Sequence, residues 1–180
     1  MLRGAQNSVS FEIVNTGGAA TGPLQVQLPA DVTWMSLSSS ATIADLAPGA
    51  RTTVTLLLSP GADLALQRYD GTLNVVGSNS YVTVPFQFRA VSDRSGDVQV
   101  TVTDEYTFFA ADKPNLAGAT VQLLDPYTYA VVATATTDAT GIVNFTGVAE
   151  GAYALQVNAP SHDSFRTTVH VTPGGLDSEE

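Results

Sequence analysis

Cysteine is absent from all 180 residues, which excludes disulfides, zinc–thiolate centres and iron–sulfur clusters. Positive charge is almost as scarce. Seven Lys plus Arg, with Lys113 the single lysine, face seventeen Asp plus Glu, giving a formal charge of −10. A nucleic-acid groove and an anionic-membrane surface both need positive potential, so neither partner is expected. No apolar run approaches the roughly 18 to 20 residues that cross a bilayer, and the N-terminus lacks the basic-then-apolar pattern of a signal peptide. Membrane insertion is therefore not expected. Long amphipathic stretches of helical period are missing as well. Charged residues make up only 13% of the chain and hydrophobic ones 44%, enough apolar material for a packed core.

What is present is alternation. From Ser8 to Ala90, short runs with apolar residues two apart are separated by turn signals. Val9, Phe11 and Ile13 precede Asn15-Thr16-Gly17-Gly18, and Leu24, Val26 and Leu28 precede Pro29-Ala30-Asp31. Trp34, then Leu46-Ala47-Pro48-Gly49, then Val54, Leu56 and Leu58 continue the pattern. Tyr69-x-Gly71-x-Leu73 restarts it, and Val82, Val84, Phe86 and Phe88 close it. About seven short strands at regular turn spacing predict an immunoglobulin-like sandwich. The Asn15-Thr16-Gly17 turn, Trp34, the Leu46–Gly49 turn and the Tyr69-x-Gly71-x-Leu73 strand resemble the Ig-like modules of the NEW3 and ASPM/SPD-2/Hydin kind. Such modules recur in bacterial surface and glycoside-processing proteins.

Residues 92–96 are short and polar and predict a linker, with the first module at 1–91. Beyond it, Val143 and Phe145, then Tyr153, Leu155 and Val157, fall two apart, and glycines sit in the Asp138–Gly141 and Ala149–Gly151 turns. Six strands are expected near 97–103, 118–124, 130–136, 142–146, 152–158 and 165–171, with the module at 97–175 and an acidic tail at 176–180. This half resembles the carboxypeptidase regulatory-like family of prealbumin or transthyretin-type sandwiches, related to CnaB adhesin domains. One departure is the insertion 104–117 ahead of Gly118-Ala119. The fold class expected is all-β, two tandem sandwiches. Predicted core residues are Phe11, Ile13, Leu24, Val26, Trp34, Val54, Leu56, Leu73, Val84 and Phe86 in the first. In the second they are Val100, Val121, Leu123, Val143, Phe145, Tyr153, Leu155, Val157 and Val169.

Chemistry is sparse. If the six strands alternate in direction, the insertion, the Asp138 turn and the Ser161-His162-Asp163 loop share one end. Asp104, Glu105, Asp112, Asp138 and Asp163 then form a candidate calcium cluster of hard oxygen ligands. The competing reading is that these are solvated turn carboxylates, since no fixed-spacing calcium motif is present; no cofactor is expected. Tyr106, Phe108 and Phe109 in the insertion are candidates for a ligand platform, against the reading that Phe108 and Phe109 plug the end of their own sandwich. Tyr127 and Tyr129, at the opposite end, are read as an interdomain contact in preference to sugar-stacking rings.

Catalysis finds little support. Ser161-His162-Asp163 spells a triad, but adjacent side chains diverge and cannot form the nucleophile–base–orienter line. His170, with Val169 and Val171 on the other face, is read as a surface position. No nucleophile elbow or phosphate-cradling loop is present. Isopeptide-bonded adhesin domains need a lysine in an early strand, where Val121 and Leu123 stand; Lys113 lies in the insertion. Asn144-Phe145-Thr146 is a sequon with its asparagine facing outward. The chain is accordingly expected to be no enzyme. It reads as a structural, spacer or adhesion module of a larger bacterial exported or cell-surface protein, from which the abrupt start suggests it is a piece. A carbohydrate-binding module of a multidomain carbohydrate-active protein is the alternative. Expected partners are neighbouring domains of a longer chain and a glycan or protein at an extracellular surface.

Overall fold

The computed structural model describes residues 1–107, 109 and 114–180, and its described residues form fourteen strands and no helix. The chain divides into two compact units, Met1–Val91 and Ser92–Glu180.

In the first unit, β1 (Asn7–Val14), β5 (Arg51–Leu58) and β3 (Met35–Leu37) form one sheet in the order β1-β5-β3. The other takes β2 (Leu24–Gln27), β4 (Thr42–Ile43), β6 (Arg68–Gly77) and β7 (Tyr81–Arg89) in the order β4-β2-β6-β7. Every registered pair is antiparallel. Period-two apolar residues turn inward, so Leu24, Val26, Val54, Leu56, Leu58, Leu73 and Val75 are buried. Trp34 fills the space between sheets, with Tyr69, Phe86 and Phe88 set edge-on at ring distances of 5.5, 6.2 and 5.9 Å. Gly71 lies opposite Phe86, whose ring occupies the space a Cβ would need; the glycine in the Tyr69-x-Gly71 motif is thus a close approach.

Asn15 explains why two separate turns are both present in the sequence. Its buried amide donates to the carbonyls of Ala19 and Leu46, each at 2.8 Å, and its own side-chain oxygen accepts from the Gly17 N–H. The Asn15–Gly18 turn is thereby fastened to the Leu46–Gly49 turn. Tyr69 donates its hydroxyl to the Ala65 carbonyl four residues upstream at 3.0 Å, a tyrosine-corner arrangement. Strand β7 is a free edge. The Gly77 N–H donates to the Ser80 carbonyl across the hairpin, so by alternation Pro85 turns its nitrogen outward and removes a donor from that edge.

The second unit pairs β11 (Ile142–Ala149), β8 (Ser95–Thr101) and β14 (Leu176–Glu179) in one sheet, ordered β11-β8-β14. The other contains β10 (Val131–Thr136), β9 (Thr120–Leu124), β12 (Gly151–Asn158) and β13 (Phe165–Val171), ordered β10-β9-β12-β13. Val98, Val100, Val121, Leu123, Val143, Phe145, Tyr153, Leu155, Val157 and Val169 are buried between them.

Two boundaries differ from the sequence reading. Residues 176–180 are not a tail: β14 runs parallel to β8, with Leu176 opposite Asp97 and Glu179 opposite Val100. The Thr172–Gly175 turn, with Gly174 at φ 66°, carries the chain back, and Asp177 accepts from the Thr172 N–H and hydroxyl. The linker residues Ser95 and Gly96 already belong to β8. Ser92 donates to the Glu150 carboxylate at 2.7 Å, and the Glu150 N–H to the Arg94 carbonyl, so 92–94 are fastened to the second unit.

Candidate functional site

Strand direction alternates from β8 to β13, so the loops 102–119, 137–141 and 159–164 do share one end of the second unit. The segment 104–106 grips the 160–163 loop. Asp104 accepts from the Tyr106 N–H at 2.9 Å and faces His162 Nε2 at 3.2 Å, while Tyr106 donates its hydroxyl to the Ser161 carbonyl at 2.9 Å. The Tyr106 and His162 rings lie 5.1 Å apart, and Glu105 accepts from the Asp163 N–H at 3.2 Å. His162 Nδ1 meets the Pro160 carbonyl at 2.8 Å. A neutral imidazole donates from one nitrogen only, so acceptors on both sides favour the imidazolium. The His162 pKa is accordingly raised, chiefly by the Pro160 carbonyl and then by Asp104, and that of Asp104 is lowered, first by the Tyr106 N–H.

Asp138 does not join this cluster. Its carboxylate caps its own turn, accepting from the Thr140 N–H and hydroxyl at 2.8 and 2.6 Å and from the Ile142 N–H at 3.1 Å. The Thr140 hydroxyl is the main cause of its lowered pKa. The turn backs onto Asn115, whose amide donates to the Thr140 carbonyl at 2.9 Å. Gly141 stands at φ 73°, and a Cβ there would run into Asn115. Of the five carboxylates read as a calcium cluster, then, Asp104 and Glu105 meet the Asp163 loop, Asp138 stays apart, and Asp112 lies outside the described residues. Among the described residues no three of the His, Asp and Glu side chains are grouped to hold a metal ion.

Tyr106 is 72% and Phe109 97% exposed. Phe109 therefore does not plug the sandwich, and it is Val102 and Leu116 of this region that pack on the core; Phe108, like Lys113, lies outside the described residues. Tyr127 and Tyr129 ride on a turn capped by Asp125, which accepts from the N–H groups of Tyr127 and Thr128 at 2.9 Å. Tyr129 stands at φ 57°, and Tyr127 and Tyr129 are 42% and 62% exposed. His170 is exposed, and Asn144 faces outward with its side-chain oxygen accepting from Gln99 at 3.0 Å.

Two features were not foreseen. One is the His162–Asp104 contact, which spans 58 residues; strand parity with an acidic pair in one loop and a histidine in the next was its only signal. It also shows that His162 works with Asp104 and the Pro160 carbonyl, not with the adjacent Ser161 and Asp163. The other is a cleft of about 650 Å³. Val100, Val102, Leu116, Leu155, Val157 and Ala159 give it apolar walls, and Glu105, Asp163, Glu179 and Glu180 stand along it.

These two units are an immunoglobulin-like and a prealbumin-like β-sandwich in tandem. Residues 1–76 match the family described as NPCBM-associated, NEW3 domain of alpha-galactosidase, and residues 96–172 match the Prealbumin-like fold domain family, in the order read from the sequence. No curated protein matches the chain. Among solved structures, the major pilin subunit of Bacillus cereus is 10% identical with a TM-score of 0.33, covering 96% of this chain and 58% of its own. The group B streptococcus pilus 2b backbone protein is 17% identical with a TM-score of 0.36, over 97% and 84% of the two chains. A Porphyromonas gingivalis protein of unknown function is 13% identical with a TM-score of 0.41, over 100% and 94%. At these scores the likeness carries no argument about function.

Proposed function

We propose that the chain is a non-catalytic structural or adhesion module that extends and presents neighbouring parts of a larger bacterial exported or cell-surface protein. The observation that carries this reading is the use to which the polar motifs are put. Asn15 joins two turns, Asp125 and Asp138 cap their own, Asp177 caps the approach to β14, and Asp104 clasps a neighbouring loop. Side chains spent on the backbone in this way serve folding, and the residues that spell a triad are directed elsewhere. The matches to a NEW3 and a prealbumin-like domain support a modular setting.

Carbohydrate binding is the second reading, favoured by the exposure of Tyr106 and Phe109 beside an apolar cleft. A glycan array separates the two. The spacer reading expects no glycan signal above background. Sugar binding that disappears in Tyr106→Ala and Phe109→Ala would replace it with the second.

A further inference from the structure

Strand β14 contributes no buried residue to the second unit, and Leu176 on it is 61% exposed. What it does is bond the segment by which the chain leaves this unit to β8, the strand by which the chain enters it. The two run parallel through four consecutive register pairs, from Leu176 opposite Asp97 to Glu179 opposite Val100. At their start the Gly174 N–H donates to the Ser95 carbonyl at 2.9 Å and the Asp97 N–H to the Gly175 carbonyl at 3.0 Å. By alternation the backbone groups of Asp97, Gln99 and Thr101 face β14, and the N–H groups of Asp177 and Glu179 face β8.

Direction decides what such a pair can bear. Tension along a chain draws the start of β8 one way and the end of β14 the other. On parallel strands that pull slides one along its neighbour, so the bonds of the ladder are loaded together; a pull across the strands would break them in turn. Strand β8 is itself firmly held, because Val98 and Val100 are 0% and 2% exposed and β11 pairs with its other edge. Ahead of it, Ser92 donates to the Glu150 carboxylate at 2.7 Å and the Glu150 N–H to the Arg94 carbonyl at 2.8 Å. The first unit carries a short form of the same arrangement. Leu2 bridges Val91 in parallel, with the Arg3 N–H donating to the Val91 carbonyl and the Val91 N–H to the Met1 carbonyl, each at 2.9 Å.

We propose that β8 and β14 form a mechanical clamp, which takes tension passing through the second unit in shear and keeps that unit folded in a loaded chain. This function rests on the reading of the chain as a structural module. The glycan array tests that reading, and unfolding forces test the clamp separately.

The chain has no cysteine of its own, so introduced thiols give unique attachment points for single-molecule pulling on the intact chain. Asp93→Cys, at an exposed position, with a cysteine added after Glu180, loads β8 and β14 in shear. Ala139→Cys, also exposed, with the same added cysteine, loads them crosswise. Ile142 stands opposite Thr101 and Glu179 opposite Val100, so both attachments then lie at one end of β8 and the flanking strands peel pair by pair. At equal loading rate the shear arrangement should unfold at a force at least about twofold higher than the crosswise one. Glu179→Pro, which removes an N–H facing β8, should lower the shear force by roughly a third or more; Ser178→Pro, whose N–H faces away on this edge strand, should leave it unchanged. A shear force no higher than the crosswise force overturns the proposal, as does a shear force that the two proline variants change equally.

Discussion

The two units solve the same problem, holding two sheets face to face, with different materials. The first places a ring cluster between its sheets, Trp34 with Tyr69, Phe86 and Phe88, and joins its turns through the buried neutral amide of Asn15. The second fills its core mostly with valine and leucine and leaves its polar fastenings at the periphery, on Asp104, Asp138, Asp177 and His162. One feature recurs in both. Tyr153 donates to the Ala149 carbonyl four residues upstream at 2.8 Å, as Tyr69 does to Ala65. The lesson is that the first unit rests on a few large or buried groups with no charge, whereas the second spreads its packing and exposes its fastenings to pH.

The largest effect should come from breaking the ring cluster. Trp34→Ala should cost about 3 to 5 kcal/mol, and Val121→Ala, at a fully enclosed site of the second unit, roughly 1.5 to 3 kcal/mol. Hydrogen exchange read strand by strand measures each loss, and a larger loss from Val121→Ala would reverse the contrast. Asn15→Ala comes next, at about 2 to 3 kcal/mol, because the Leu46 carbonyl and the Gly17 N–H lose their partner inside the unit. Asp138→Ala removes bonds from an exposed turn and should lower the melting temperature less. An equal fall would mean that exposed caps matter as much as the buried amide.

Alternation made the sheets legible from the residues, because each inward position must be apolar and each turn must be polar or glycine. All nine core positions read in the second half are buried. In the first, Phe11, Ile13, Val84 and Phe86 are only half-buried, since β1 and β7 are edge strands and alternation does not reveal order within a sheet. Strand β14 was missed for a related reason. It presents Leu176 outward and Asp177 inward, so its pattern looks like a tail, and the Asp177–Thr172 bonds that fix it are not a periodic signal. Strand β4 has only two residues and no period to read. The site was legible only as far as strand parity reached. That Asp138 would satisfy itself while Asp104 reached His162 depends on side-chain geometry within loops.

The contrast can be sharpened with pH. The folded-state pKa of His162 is raised, so its contribution is complete below the ordinary histidine value of about 6.5 and is lost as pH rises through the raised value. The second unit should therefore lose some stability on the alkaline side, and His162→Gln should abolish that loss. Asp104 and Asp138 have lowered values, so their contribution is present above the ordinary aspartate range and is lost as pH falls through those lowered values. Acid does not discriminate, because Asp70 of the first unit is also lowered, mainly by the Gln87 amide. Thermal melts from pH 5 to 9, followed by hydrogen exchange in each unit, check the alkaline arm; a matching alkaline loss in the first unit would remove the distinction.

Calcium should produce the smallest effect. A divalent cation needs several oxygen ligands converging within about 2.3 to 2.6 Å of one point, and three of the described carboxylates at this end are already committed to separate tasks. Asp104 holds Tyr106 and His162, Glu105 takes the Asp163 N–H, and Asp138 closes its own turn. Recruiting them would break those bonds before gaining the metal. A ligand that binds only the folded state adds RT ln(1 + [L]/Kd), about 2.7 kcal/mol at a hundred times Kd, so a site with a Kd on the order of 10⁻⁵ M would be conspicuous at millimolar calcium. We therefore expect the melting temperature of the second unit to be the same in millimolar calcium and in excess chelator. A chelator-sensitive transition that Asp104→Ala or Asp138→Ala removes would show instead that the loops rearrange around the ion, and would make the second unit responsive to metal as well as to pH.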